Sequence, residues 1–240
     1  MKHILLFVCC LLVIDTQAQT KANDLQRYGL KGRVKEMEQR LYPVTETRNG
    51  KTSITDTNIY MVEKYLYTKE GLLTSKIDMK LRRNESGKSV MNTVIMNFSY
   101  DKGRIASSEW HGEDAAALGT SSVTWQNDST YRDKALDNTK NMSTETIHIL
   151  DENGRNRKVQ MIRRDADGKV INNVLTDFYY DNTGAVARQY VYDSLYSITR
   201  EYKMEILKKD KKGNILNSVY KSVGGLDQPA QVIRYKYEYY

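Results

Sequence analysis

Cysteine is confined to Cys9 and Cys10 in a chain of 240 residues, and both lie in an apolar run near its start. If that run is removed, no thiol remains for a disulfide, a cysteine metal site or a cysteine nucleophile. Histidine is nearly as scarce, with His3, His111 and His148 alone. One pair 37 residues apart, His111 and His148, is a poor signature for a metal or a triad. No GxSxG, HExxH or phosphate-loop pattern occurs. Two prolines and three phenylalanines complete the scarcities. The reading is a protein without a cofactor, without a metal and without catalysis.

The start of the chain is an address. Met1, Lys2 and His3 precede an unbroken apolar run from Ile4 to Ile14, then Asp15, Thr16, Gln17 and Ala18. This is the pattern of a secretory signal peptide, residues 1–18, cut after Ala18. The run's eleven residues, at about 1.5 Å each, fall well short of a hydrocarbon core of roughly 30 Å. A cleaved leader fits, with no transmembrane anchor after cleavage. A lipoprotein is disfavoured, because Phe7 and Val8 stand where a small residue should precede the lipidated cysteine. Lys2 and Asp15 cancel, so cleavage leaves the formal charge at +7. Lys and Arg alternate with Asp and Glu, which reads as a solvated sheet face with no nucleic acid partner.

What is abundant is tyrosine, at 18 residues, together with a recurring turn. Asp151 to Gly154, Asp165 to Gly168, Asp181 to Gly184 and Asp210 to Gly213 share the form Asp-x-x-Gly, and Thr68 to Gly71 substitutes Thr. After Tyr100, Asp101 to Gly103 is one residue shorter, and Asn84 to Gly87 fits the same slot. Asp or Asn bonds back to the backbone and Gly supplies the positive φ, so Gly71, Gly87, Gly103, Gly154, Gly168, Gly184 and Gly213 mark structural turns. Steps of 14 to 16 residues between tips leave short strands that pair as a meander. The intervening residues alternate as half-buried strands do: Ile77, Met79 and Leu81 oppose Lys76, Asp78, Lys80 and Arg82, and Ile233, Tyr235, Tyr237 and Tyr239 oppose Arg234, Lys236 and Glu238. The expected fold is all-β, an antiparallel meander of repeated hairpins in a curved, solenoid-like or partly rolled single sheet. The tip pattern lapses between Gly103 and Gly154, which predicts an irregular insertion near 110–142 within one domain over 19–240. Glu113 to Leu118 is expected to be a helical turn or a loop.

At Tyr100, Asp101, Gly103, Arg104 and Ile105, and again at Phe178, Tyr180, Asp181 and Gly184, the chain resembles the YD repeats of the RHS family. Such proteins wind hairpins into a spiral sheet. The resemblance implies a small exported hairpin array, with too few copies to enclose a shell, secreted or held in the periplasm or outer envelope of a Gram-negative bacterium.

Candidate site residues are few. Trp110, His111 and Trp125 fall in the segment where the repeat lapses, and loops carry binding more often than regular strands. His148 alternates with Ile147 and Ile149, which predicts a solvated position. Asp165, Asp167 and Gly168 look superficially like the start of a calcium loop, but no Glu stands at loop position twelve and Lys69 or Lys211 occupies the slot elsewhere, so calcium is not predicted. The function expected is an exported, non-catalytic binding or structural module of the envelope, its partner a protein or a glycan. The alternatives are a carbohydrate-binding module, which predicts exposed Trp or Tyr in one row, and a hydrolase, which predicts two carboxylates across a groove. The final strand, ending at Tyr240, is expected to leave an open edge through which copies of the chain associate.

Overall fold

The computed structural model describes residues 24–43, 46–48, 51–53, 59–83, 89–223 and 231–240. A short helix, α1 (Asp24–Arg27), is followed by β1 (Val34–Pro43), β2 (Glu46–Arg48), β3 (Lys51–Ser53), β4 (Met61–Tyr67), β5 (Leu73–Arg83), β6 (Ser89–Asp101), β7 (Arg104–Gly112) and β8 (Ala117–Trp125). Then come β9 (Thr130–Asp137), β10 (Met142–Leu150), β11 (Asn156–Arg164), β12 (Val170–Tyr180), β13 (Val186–Asp193), β14 (Ile198–Lys209), β15 (Ile215–Val223) and β16 (Gln231–Tyr239). Fourteen of these strands form one closed antiparallel barrel, and β2 and β3 form a separate two-stranded sheet.

Closure corrects the expected open, solenoid-like or partly rolled sheet. The meander runs from β4 to β16, and β1 then pairs on both sides, with Met37 opposite Tyr237 of β16 and opposite Tyr65 of β4. β16 is therefore no edge, and the expected route to self-association through it is absent. A closed barrel removes unpaired strand edges altogether.

The hairpin tips follow their sequence. In each Asp-x-x-Gly copy the Asp Oδ1 accepts the N–H groups of the second and fourth residues after it, as Asp181 does from Thr183 (2.8 Å) and Ala185 (3.0 Å). The glycine N–H closes on the Asp carbonyl, 3.0 Å for Gly184 to Asp181. Gly184 sits at φ 85°, in the left-handed region where a side chain is strained. Gly71, Gly103, Gly154, Gly168 and Gly213 share that sign, and Gly87 lies outside the described residues.

The expected irregular insertion near 110–142 is regular. β7, β8, β9 and β10 pass through it, joined by turns at 113–116, 126–129 and 138–141, and Glu113 to Leu118 is a hairpin turn leading into β8. These turns reach the same end without the glycine signal. Ala115 (φ 59°) and Asn141 (φ 48°) take the left-handed position, and Asn127 and Asp137 cap them through Ser129 and Thr139.

Residues paired across neighbouring strands share a face, so the register can be followed around the wall. Met37 faces the same side as Tyr65, Lys76, Met96, Trp110 and Gly119 in turn. That side is the lumen, because Leu25 of α1 packs there with Met37, Tyr65, Tyr67 and Leu73. β5 thus presents Lys76, Asp78 and Lys80 inward and Ile77, Met79 and Leu81 outward.

Candidate ligand site in the plugged lumen

The outer wall is laced with ion pairs. Glu38 meets Lys64 at 3.3 Å, Arg132 meets Glu145 at 2.9 Å, Lys158 meets Asp177 at 3.4 Å and Lys221 meets Glu205 at 2.7 Å, on strands spread around the circuit. A lipid-facing barrel needs an apolar outward band roughly 25 Å tall, and a Lys or Arg at the bilayer midplane costs about 2–4 kcal/mol. Ile77 and Ile147 do face outward, but Lys64 and Arg132 are paired beside them in the same rows, and among the described residues no such band forms.

Residues 24–33 cross one mouth of the barrel as a plug. Asp24 is buried, and its Oδ2 accepts the Leu73 N–H at 2.8 Å and the Tyr100 hydroxyl. Lys31 N–H donates to Asn214 Oδ1 at 2.7 Å, and Asn214 Nδ2 returns a bond to the Lys31 carbonyl at 2.9 Å. Gly29 passes so close to the tip at Gly184 that a Cβ there would lie 3.0 Å from the Gly184 carbonyl oxygen. The plug is stitched to tips on either side of the mouth.

Beneath it lies a cavity of about 240 Å³. Met37, Phe178, Val186, Met204, Tyr235 and Tyr237 contribute its apolar and aromatic wall, with Arg27 and Lys209 as its cations and no carboxylate in the lining. Two of the tyrosine hydroxyls are turned to the backbone: Tyr237 donates to the Ile215 carbonyl at 2.8 Å and Tyr180 to the Asn156 carbonyl at 2.7 Å. Burial pushes both Tyr180 and Tyr235 up to about 12, so they stay protonated. The rings face the cavity as apolar surface, which is the chemistry of a pocket for a small amphiphile.

Two polar groups sit deeper in the same lumen. The His148 ring stacks on Tyr131 with centroids 4.3 Å apart, and its Nδ1 lies 3.1 Å from Asn156 Oδ1. Burial depresses it to about 4, so it is neutral at ordinary pH, and its expected place on the solvated face is corrected. Its flanking isoleucines point outward instead. Lys76 Nζ bridges Glu63 (2.7 Å) and Asp78 (2.9 Å). These carboxylates are cross-strand neighbours held by one ammonium, not a pair facing across a groove. Among the described residues no three His, Cys, Asp or Glu side chains are grouped to hold a metal ion.

The sequence-predicted residues are not brought together. Trp110 points into the lumen over Gly119, whose added Cβ would collide with the indole. His111 is its chain neighbour and faces outward, 3.7 Å from Glu109. Trp125 lies inward near the plug, packed on Tyr131 with centroids 4.6 Å apart and donating to the Ile105 carbonyl at 3.1 Å. No row of exposed tryptophans results. The most exposed outward tyrosine on β12, Tyr179, meets Tyr190 edge-on at 80°, so the two do not make a flat sugar platform. Arg27, Tyr131 and His148 were missed by sequence reasoning, since only the strand register and the plug place them side by side.

The pairings define the class: a closed, up-and-down antiparallel barrel with residues 24–33 in one mouth. Among solved structures, a porin-like protein from Bacteroides vulgatus is similar, with a TM-score of 0.49 and 11% identity over 85% of this chain and 98% of that one. A porin-like protein from Bacteroides uniformis gives 0.46 and 10%, with the same coverage of both chains. A structure of the Photorhabdus luminescens Tc holotoxin pore gives 0.17 and 10% over 76% of this chain and 16% of that one. No family model matches the sequence, and no curated protein matches it.

Proposed function

We propose that this is an exported, water-soluble, non-catalytic binding barrel of the Gram-negative cell envelope, which holds a small amphiphilic molecule in the lumen beneath its plug. The observation that carries the reading is the contrast between walls. The inward face around the cavity is aromatic and apolar, while the outward face is ion-paired. The basic and apolar opening of the chain supports export. The neutral His148 and the Lys76-held Glu63 and Asp78 are each already engaged, which supports a role in binding, and Asp133, which also faces inward, bonds to Ser121.

The test is fluorescence titration of the purified mature protein, in detergent-free buffer, with an N-phenylnaphthylamine reporter. Saturable enhancement that is lost in Met204→Trp, which fills the cavity, is the expected result. Enhancement unchanged in that variant, or transfer of the protein into lipid vesicles on flotation, overturns the reading.

A further inference from the structure

Arg27 is the one residue of α1 that carries charge into the cavity lining. Its side chain is 13% exposed, its Nη1 lies 3.2 Å from Asp24 Oδ1, and its guanidinium carbon lies 5.4 Å from the Tyr131 ring centre. Its Nε is buried and has no hydrogen-bond partner. A guanidinium offers five donors in a fixed fork, and a buried donor with no acceptor is a standing cost that an incoming oxygen relieves.

Asp24 takes only Nη1 of this group, while its Oδ2 holds the Leu73 N–H and the Tyr100 hydroxyl, which leaves the buried Nε without an acceptor. Of the inward carboxylates, Glu63 and Asp78 are engaged by Lys76, and Asp133 bonds to Ser121 outside the cavity lining. The cavity lining adds a second cation, Lys209, tethered to Thr183 Oγ1 at 3.0 Å. An aromatic and apolar cavity, roofed by an under-used guanidinium and free of acidic lining, is complementary to one kind of molecule. We infer that the ligand is a single-chain amphiphile with a carboxylate head, the head on Arg27 and the chain among Met37, Phe178, Val186 and Met204. The inference rests on the lumen reading above and adds to it the sign and class of the ligand.

Decanoate and decanol share a chain and differ in the head, so they separate the two ideas. Each is titrated against the bound naphthylamine reporter, with wild type, Arg27→Gln, Arg27→Lys and Met204→Trp compared after circular dichroism has shown each to be folded. The expected result is that decanoate displaces the reporter from wild type at least roughly tenfold more tightly than decanol, as a charge-assisted contact should. Arg27→Gln brings decanoate down to the decanol level, Arg27→Lys retains part of the preference, and Met204→Trp abolishes both. Equal displacement by the two ligands, or decanoate affinity unchanged in Arg27→Gln, overturns the carboxylate anchor while leaving the lumen site standing. A reporter that does not bind wild type at all overturns both.

Discussion

Replacing His148 by Phe makes the stability of the barrel less sensitive to acid. The imidazole lies flat on Tyr131 in the lumen, donates its Nδ1–H to Asn156 Oδ1, and has Arg27 as the cation facing it across the Tyr131 ring. Burial is the main cause of its depression from an ordinary 6.5 to about 4, and the positive charge of Arg27 adds to it against the Asn156 bond. In the unfolded chain the same group protonates at its ordinary value, so between pH 6.5 and about 4 the unfolded state binds more protons and stability rises with pH. Above that window the group contributes nothing. As pH falls through it a penalty grows, which at 1.36 kcal/mol per tenfold change in proton affinity reaches about 3 kcal/mol. The Phe variant keeps the stack, loses a hydrogen bond worth about 1 kcal/mol and removes the titration. Urea unfolding followed by tryptophan fluorescence at pH values from 7 down to 4 measures the difference. Carboxylates such as Asp181 and Asp210, which hydrogen bonds hold low, lose stability at still lower pH in both proteins and cancel in the comparison. The expected outcome is that wild type loses about 3 kcal/mol more than His148→Phe across that range. Parallel pH profiles would refute the buried, neutral imidazole.

Three further substitutions test the wall. Gly119→Ala places a methyl against the Leu136 carbonyl and the Trp110 ring, and is expected to cost about 1–3 kcal/mol and to shift the tryptophan emission; an unchanged spectrum and unfolding midpoint would contradict the inward packing of Trp110. Asp210→Ala removes the acceptor for Lys212 N–H, Asn214 N–H and the Tyr239 hydroxyl, and is expected to lower stability by about 1–3 kcal/mol in urea unfolding. Gly184→Ala, at φ 85°, is expected to cost about 1–2 kcal/mol, and a neutral result would mean the tip does not need its left-handed residue.

Local chemistry was legible in the sequence and long-range pairing was not. The tips at Asp151, Asp165, Asp181 and Asp210 declare themselves because acceptor and glycine lie within four residues of each other. The tips at Ala115 and Asn141 are the same device built without glycine, and so the strands on either side of them read as an insertion. Closure depends on β1 meeting β16, with Glu36 opposite Glu238, and no local pattern encodes a pairing between the two ends of a chain. The alternation in β5 revealed a strand but not its polarity, because the lumen accepts the Lys76 ion cluster while the outer wall tolerates Ile77 and Met79. Trp110 and His111 looked like one site because they are adjacent, yet adjacency along a strand puts two side chains on opposite faces. The plug carries no periodicity at all, and its role follows only from the reach of Asp24 to Leu73 and of Lys31 to Asn214.

The account stands on which face of the wall meets water. The mature chain lacks cysteine if the leader ends at Ala18, so single cysteines can report that directly. Lys134→Cys and Lys203→Cys place a thiol on the outer wall, and Met161→Cys and Met204→Cys place one in the lumen. Labelling with a polyethylene-glycol maleimide in detergent-free buffer should modify the outer pair quickly and leave the lumen pair protected until the protein is unfolded. Fast modification of Met161→Cys and Met204→Cys in the folded protein, or outer positions that react only after detergent strips them from lipid, would contradict a water-facing barrel with a sheltered lumen.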